Sequence, residues 1–165
     1  MDAFETFKSR ISVREYSDKP VEKEKLEKMV DAGRLAPTAR GEQPWEFVVV
    51  TKKEKIKELA DITDHGKFMS GASAAIAVFC KDTKYYLEDG CSATENILLA
   101  ATAQGVASCW VAGDKKHYCP QIAKALGVPE GFKLISILSL GYPKAKPEAH
   151  KKRPLNEVIH WEEFR

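Results

Sequence analysis

The segment LEDGCSATENILLAATAQ, residues 87–104, is the strongest constraint in the chain. Its spacing predicts the longest helix of the protein, from Leu87 to Gln104. Cys91, Thr94, Ile97, Leu98, Ala100 and Ala101 leave that helix few polar faces. A helix that is apolar around most of its girth is normally covered on several sides. In a protein of 165 residues this pattern points to a second subunit as the remaining wall.

The length favours one domain, residues 1–165, since single domains typically run to roughly 100–200 residues. Apolar residues make up 44% and charged residues 30%, which predicts a folded core rather than disorder. The charges nearly balance, 26 basic against 24 acidic, and alternate along most of the chain. That pattern excludes a nucleic-acid-binding stripe. No apolar stretch approaches the roughly 18–20 residues of a membrane helix, and MDAFETFKSR has no apolar leader core. A cytoplasmic protein is the expectation. Cys80, Cys91, Cys109 and Cys119 form no CxxC pair and lack neighbouring histidines at zinc-finger spacing. They read as free thiols in a reducing compartment.

Helices are predicted at Ala3–Lys8, Glu22–Leu35, Thr51–Ile62, Leu87–Gln104 and Pro120–Leu126. Pro37 ends the second, because the residue before a proline resists the helical region. Thr51 followed three residues later by Glu54 has the form of a capping box. Strands are predicted at Glu46–Val50, Ala74–Cys80, Val106–Ala112 and Leu134–Leu140. Alternating strands and helices, taken alone, predict a parallel sheet.

Dinucleotide, P-loop, zinc-protease and serine-hydrolase motifs are all missing. His65, His117, His150 and His160 are scattered without ligand spacing. Chemistry on this chain therefore calls for a cofactor, and two cationic clusters indicate its character. RISVR places Arg10, Ser12 and Arg14 at every second position, so in extended chain they share one face. Two planar guanidinium forks beside a hydroxyl suit a phosphate; the alternative is a solvated stripe on a connector. Lys151-Lys152-Arg153, followed by the stiffening Pro154, is either a solvated tail or the other half of a phosphate clamp. Three charge-assisted bonds of roughly 1.5–3 kcal/mol each would account for much of a micromolar affinity, about 8 kcal/mol.

The ordered set SRISVREY, APTARGEQPWEFVVV, the alanine-rich helix running into GVASCWVAGD, LGYP, and KKRPLNEVIHWEEF spans nearly the whole chain. Each piece alone is weak. Together, in this order and spacing, they resemble the short form of the flavin-dependent nitroreductase family. The resemblance implies an α+β fold with a mainly antiparallel central sheet flanked by helices, in place of the parallel sheet. It implies a homodimer with FMN between the subunits and a C-terminal tail crossing to the partner.

Residue by residue, Arg10, Ile11 and Ser12 match the segment that holds the FMN phosphate. Arg14 matches a basic position near the ribityl chain and the pyrimidine edge of the ring. Lys151 and Arg153 match C-terminal phosphate binders, with Lys152 as a substitute. Pro37, Thr38 and Ala39 match a loop against the ring, contributed by the other subunit. Gln43, Pro44 and Trp45 match the family's Gln-Pro-Trp, with Trp45 structural. Ala112 and Gly113 match backbone beside the reactive flavin nitrogen. Gly41 departs from an asparagine that is frequent in the family, Thr38 replaces a serine, and the segment between Thr63 and Ser73 is short.

The resemblance implies an oxidoreductase that takes a hydride from NAD(P)H and delivers it to a small electron-poor aromatic acceptor, a nitroaromatic or quinone-like compound, by ping-pong turnover. No metal, nucleic-acid or membrane partner is implied. Other acceptors (an enone, a flavin or a halogenated phenol) and a non-catalytic FMN-binding module stand as alternatives.

Overall fold

The structure is a computed structural model and describes residues 2–149 and 151–164, so His150 lies outside the described residues. Four strands, β1 (Trp45–Val50), β2 (Ala74–Lys81), β3 (Ala107–Ala112) and β4 (Phe132–Gly141), form one sheet in the order β1-β2-β4-β3. All three pairings are antiparallel. Five α-helices accompany it among the described residues: α1 (Ala3–Ser9), α2 (Lys23–Arg34), α3 (Lys53–Ile62), α4 (Tyr86–Ala103) and α5 (Cys119–Ala125). The fold is α+β with an antiparallel sheet.

The parallel sheet predicted from alternation fails for a topological reason. Between β1 and β2, α3 packs on the 3-10 turn Lys67–Gly71. The outward and return paths cancel, and the chain re-enters at the end it left, with Val50 opposite Ala75. Strands β2 and β3 do run in the same direction, because each is antiparallel to β4. Helix α4 is thus a true crossover between parallel strands. The last strand in sequence then inserts between them, which no local pattern reveals.

The two sheet faces carry separate cores. Ile76, Val78 and Cys80 pack with Met29 of α2 and Ile97 of α4 on one face. Ala75, Ala77 and Phe79 pack with Ile56 and Leu59 of α3 and Ile122 of α5 on the other. Strand β2 is buried on both faces from Ala74 to Cys80. Each fully buried Ile or Leu contributes about 1.5–3 kcal/mol. Helix α4 seats closely on the sheet at Gly90: a Cβ there would lie 2.5 Å from Ile135 Cγ1 and 2.9 Å from Cys80 Sγ.

Thr51 does not cap a helix. Lys52 occupies the cap position of α3 with no side-chain bond, so the predicted capping box does not form. Among the described residues no helix is long and apolar enough to cross a membrane. Outside the two cores, Phe4 and Phe7 of α1 are exposed, and so are Leu155, Trp161 and Phe164 of the tail.

Candidate active site

RISVR lies beside β3, at the opposite edge of the sheet from β1. Ser12 bridges Ser108 in parallel register, and the Val13 N–H donates to the Ser108 carbonyl at 2.9 Å. This extended backbone puts Arg10, Ser12 and Arg14 on one side, as alternation predicts. Cys109 registers the result. Burial pushes its thiol up, while Arg14, a bond to the Ser12 hydroxyl and Arg10 all pull it down. Among the described residues, neither Arg10 nor Arg14 forms an ion pair with a carboxylate. Arg14 lies over the ring of Phe68, 5.7 Å from its centroid, so the short segment between Thr63 and Ser73 reaches this face. Ile11 points elsewhere and lines a 180 Å³ groove with Val13, Val106, Pro143 and Pro147.

Tyr16 holds this segment in place. Its hydroxyl donates to the Val13 carbonyl at 2.6 Å and shares a 2.8 Å bond with the Ser139 hydroxyl of β4. Burial pushes the phenol well above its ordinary value. Tyr16→Phe is expected to cost about 1–2 kcal/mol by orphaning buried partners, measured as a lower denaturant midpoint at unchanged slope. It should also weaken any anion held by Arg10 and Ser12.

The second constellation is the loop from Pro37 to Gln43. Arg40, Gly41 and Gln43 have φ of 57°, 69° and 46°. Left-handed backbone costs roughly 1–2 kcal/mol at a residue other than glycine. Such strain persists only where the surroundings over-determine it, commonly at functional sites. Here the buried Asp89 of α4 accepts from the Thr38 hydroxyl at 2.8 Å and the Ala39 N–H at 3.0 Å. Thr38 Oγ1 accepts from the Gln43 N–H at 3.0 Å. Pro44 and Trp45 are buried and anchor the exit from the loop into β1.

These two constellations do not meet within one chain. The loop is fastened to α4, on the face of the sheet that carries Trp45. RISVR flanks the far edge strand near Cys109, whose neighbour but one, Val111, packs on the other face. Among the described residues the C-terminal cluster bonds to neither: Arg153 donates to the Glu157 carbonyl at 2.5 Å and pairs with its carboxylate at 3.5 Å. Lys151 and Lys152 are exposed. Ala112, whose side chain lies outside what is described, ends β3 opposite Ser136, and Gly113 follows in close approach to Leu134.

Sequence reasoning missed Asp89 and Phe68. The signal for Asp89 was present, a carboxylate beside a glycine on a mostly apolar helix that also carries Glu88 and Glu95. The signal for Phe68 was not, because only the tertiary fold brings it to Arg14. Burial raises the thiols of Cys80 (to about 12), Cys91, Cys109 and Cys119, and no cluster of metal-binding side chains occurs among the described residues. The thiols suit packing rather than nucleophilic chemistry.

Cationic donors at a sheet edge and a strained loop stand on this α+β framework, and the chain belongs to the nitroreductase family. The family profile described as "Nitroreductase family" matches residues 7–87, and one described as "Putative TM nitroreductase" matches residues 54–165. The "Putative NADH dehydrogenase/NAD(P)H nitroreductase" of Archaeoglobus fulgidus is 38% identical over 87% of this chain and 86% of its own. The crystal structure of the "Putative NADH dehydrogenase/NAD(P)H nitroreductase" of Bacteroides thetaiotaomicron superposes with TM-score 0.93 at 32% identity, over 98% of both chains. An "FMN-dependent Nitroreductase" of Clostridium difficile R20291 superposes with TM-score 0.91 at 32% identity, over 96% of this chain and 98% of its own.

Proposed function

We propose that this protein is an FMN-dependent oxidoreductase that uses NAD(P)H and works as a homodimer. The observation that carries the reading is the RISVR face: two guanidiniums and a hydroxyl, with no ion pair to a carboxylate among the described residues, fixed beside β3 in a chain of this family. Its donor chemistry fits a phosphate. From Ser108 to Ala112 the strand advances roughly 13–14 Å. A molecule with a phosphate at one end and a flat ring at the other can therefore engage RISVR and the Ala112–Gly113 backbone at the end of β3 together.

In this reading Arg10 and Ser12 hold the phosphate, with Lys151 and Arg153 closing over it from the tail and Lys152 in reserve. Arg14 places a cation beside the pyrimidine edge, where negative charge is favoured. Pro37, Thr38 and Ala39 lie against the ring and Gln43 borders it, all from the second copy. The separation of the loop from RISVR within one chain supports a site shared between subunits. The Ala112–Gly113 main chain faces the reactive part of the ring without a bulky side chain. The chemistry FMN supplies when bound is hydride transfer from NAD(P)H to a nitroaromatic or quinone-like acceptor, the two substrates alternating over one ring face. The chain's own part is to bind, orient and exclude water.

The test is the visible absorption spectrum of the purified protein, with the flavin identified after denaturation, followed by steady-state NAD(P)H oxidation with added acceptors. The expected protein is yellow, releases FMN and turns over faster than free FMN. A protein that acquires no flavin spectrum with excess FMN overturns the proposal. A flavin-loaded protein no faster than free FMN reduces it to a binding module.

A further inference from the structure

We infer that Asp89 is the positioning residue for the loop 37–43, an inference that rests on the reading of that loop as the ring-facing segment. Asp89 sits in the first turn of α4 and is 4% exposed. Its Oδ2 accepts from the Thr38 hydroxyl and its Oδ1 from the Ala39 N–H. Through Thr38 it also reaches the Gln43 N–H. A single carboxylate thus holds the start of the loop directly and, through Thr38, its last left-handed residue, Gln43, with Arg40 and Gly41 between.

The chemistry requires an acceptor-only group. Thr38 has one hydroxyl hydrogen and gives it to Asp89, which leaves its oxygen free to accept from Gln43. An amide at residue 89 would present N–H where the Thr38 hydroxyl must donate. The hydroxyl would then turn, and its oxygen would have to serve two donors. The helix N-terminus and the two hydrogen bonds make the buried charge tolerable. Gly90, the next residue, lets α4 approach Ile135 and Cys80 closely, which seats Asp89 on the sheet side of the helix start. A plain helix-to-strand connection needs none of this; strained backbone held by a buried charge marks a segment whose shape matters.

The experiment titrates FMN into four variants of the full-length protein, Asp89→Asn, Thr38→Val, Thr38→Ser and the double Asp89→Asn/Thr38→Val, with Arg10→Ala alongside. Tryptic cleavage at Arg40–Gly41 is followed by mass spectrometry, and visible spectra are recorded at flavin saturation. Asp89→Asn and Thr38→Val should each weaken FMN about tenfold, the loss of one charge-assisted bond. Thr38→Ser should stay within about twofold, and the double variant should be no weaker than the poorer single, because the bond is shared. Asp89→Asn and Thr38→Val should each speed cleavage at Arg40 and shift the bound-flavin spectrum, whereas Arg10→Ala, acting at the phosphate, should weaken binding with an unshifted spectrum. If Asp89→Asn retains wild-type affinity and spectrum while Arg10→Ala weakens FMN, the inference fails and the functional reading stands. Faster cleavage with an unshifted spectrum also overturns it, because the loop would then be held for structure alone. If Arg10→Ala too leaves FMN binding unchanged, the functional reading has failed first.

Discussion

Arg10→Ala is expected to weaken FMN binding by one to two orders of magnitude, measured by titration of flavin fluorescence, while the melting temperature stays close to that of the unaltered protein. The size follows from a charge-assisted bond, roughly 1.5–3 kcal/mol, at about 1.4 kcal/mol per tenfold in affinity. The unaltered stability follows from the surroundings. Arg10 caps α1 through its backbone N–H, which alanine retains, and among the described residues its guanidinium makes no ion pair that folding would lose. Arg153→Ala should have a smaller effect, since Arg153 already donates to Glu157 and must divide its donors. Equal flavin affinity in both variants and the parent would remove the phosphate clamp.

Truncation before Pro154 is expected to convert the proposed dimer largely to monomer in sedimentation velocity and to lower flavin occupancy with it. The removed segment carries Leu155, Trp161 and Phe164, which are 72%, 73% and 90% exposed in the single chain. Large apolar side chains at that exposure gain by cover. At about 25 cal/mol per Å², the rings of Trp161 and Phe164, of roughly 150–250 Å² each, can each add a few kcal/mol to association before ordering costs. Phe4 and Phe7 of α1 are exposed in the same way, and Phe7 borders a 300 Å³ groove with Leu99 and Ala100 of α4. This is the outer side of the helix whose composition first called for a second wall. An unchanged sedimentation profile after truncation would show that the tail does not cross.

Much of this was legible in one dimension. Element positions follow from period, proline and glycine, and the boundaries predicted for α2 and β2 lie within one residue of those observed. The one-sidedness of Arg10, Ser12 and Arg14 was legible because alternation is a property of any extended backbone. The capping box at Thr51 was not, since a cap exists only if the backbone turns one residue earlier than it does.

From sequence alone came what local geometry dictates: which residues form strands and helices, and which cations share a face. Only the tertiary structure decided that β4 enters between β2 and β3, that RISVR and the loop 37–43 belong to opposite edges of the sheet, and that Asp89 rather than any loop residue fastens Thr38. The reason is range. Periodicity acts over a few residues, whereas the bond from the Thr38 hydroxyl to Asp89 joins positions far apart in sequence, and its existence depends on how α4 settles on the sheet.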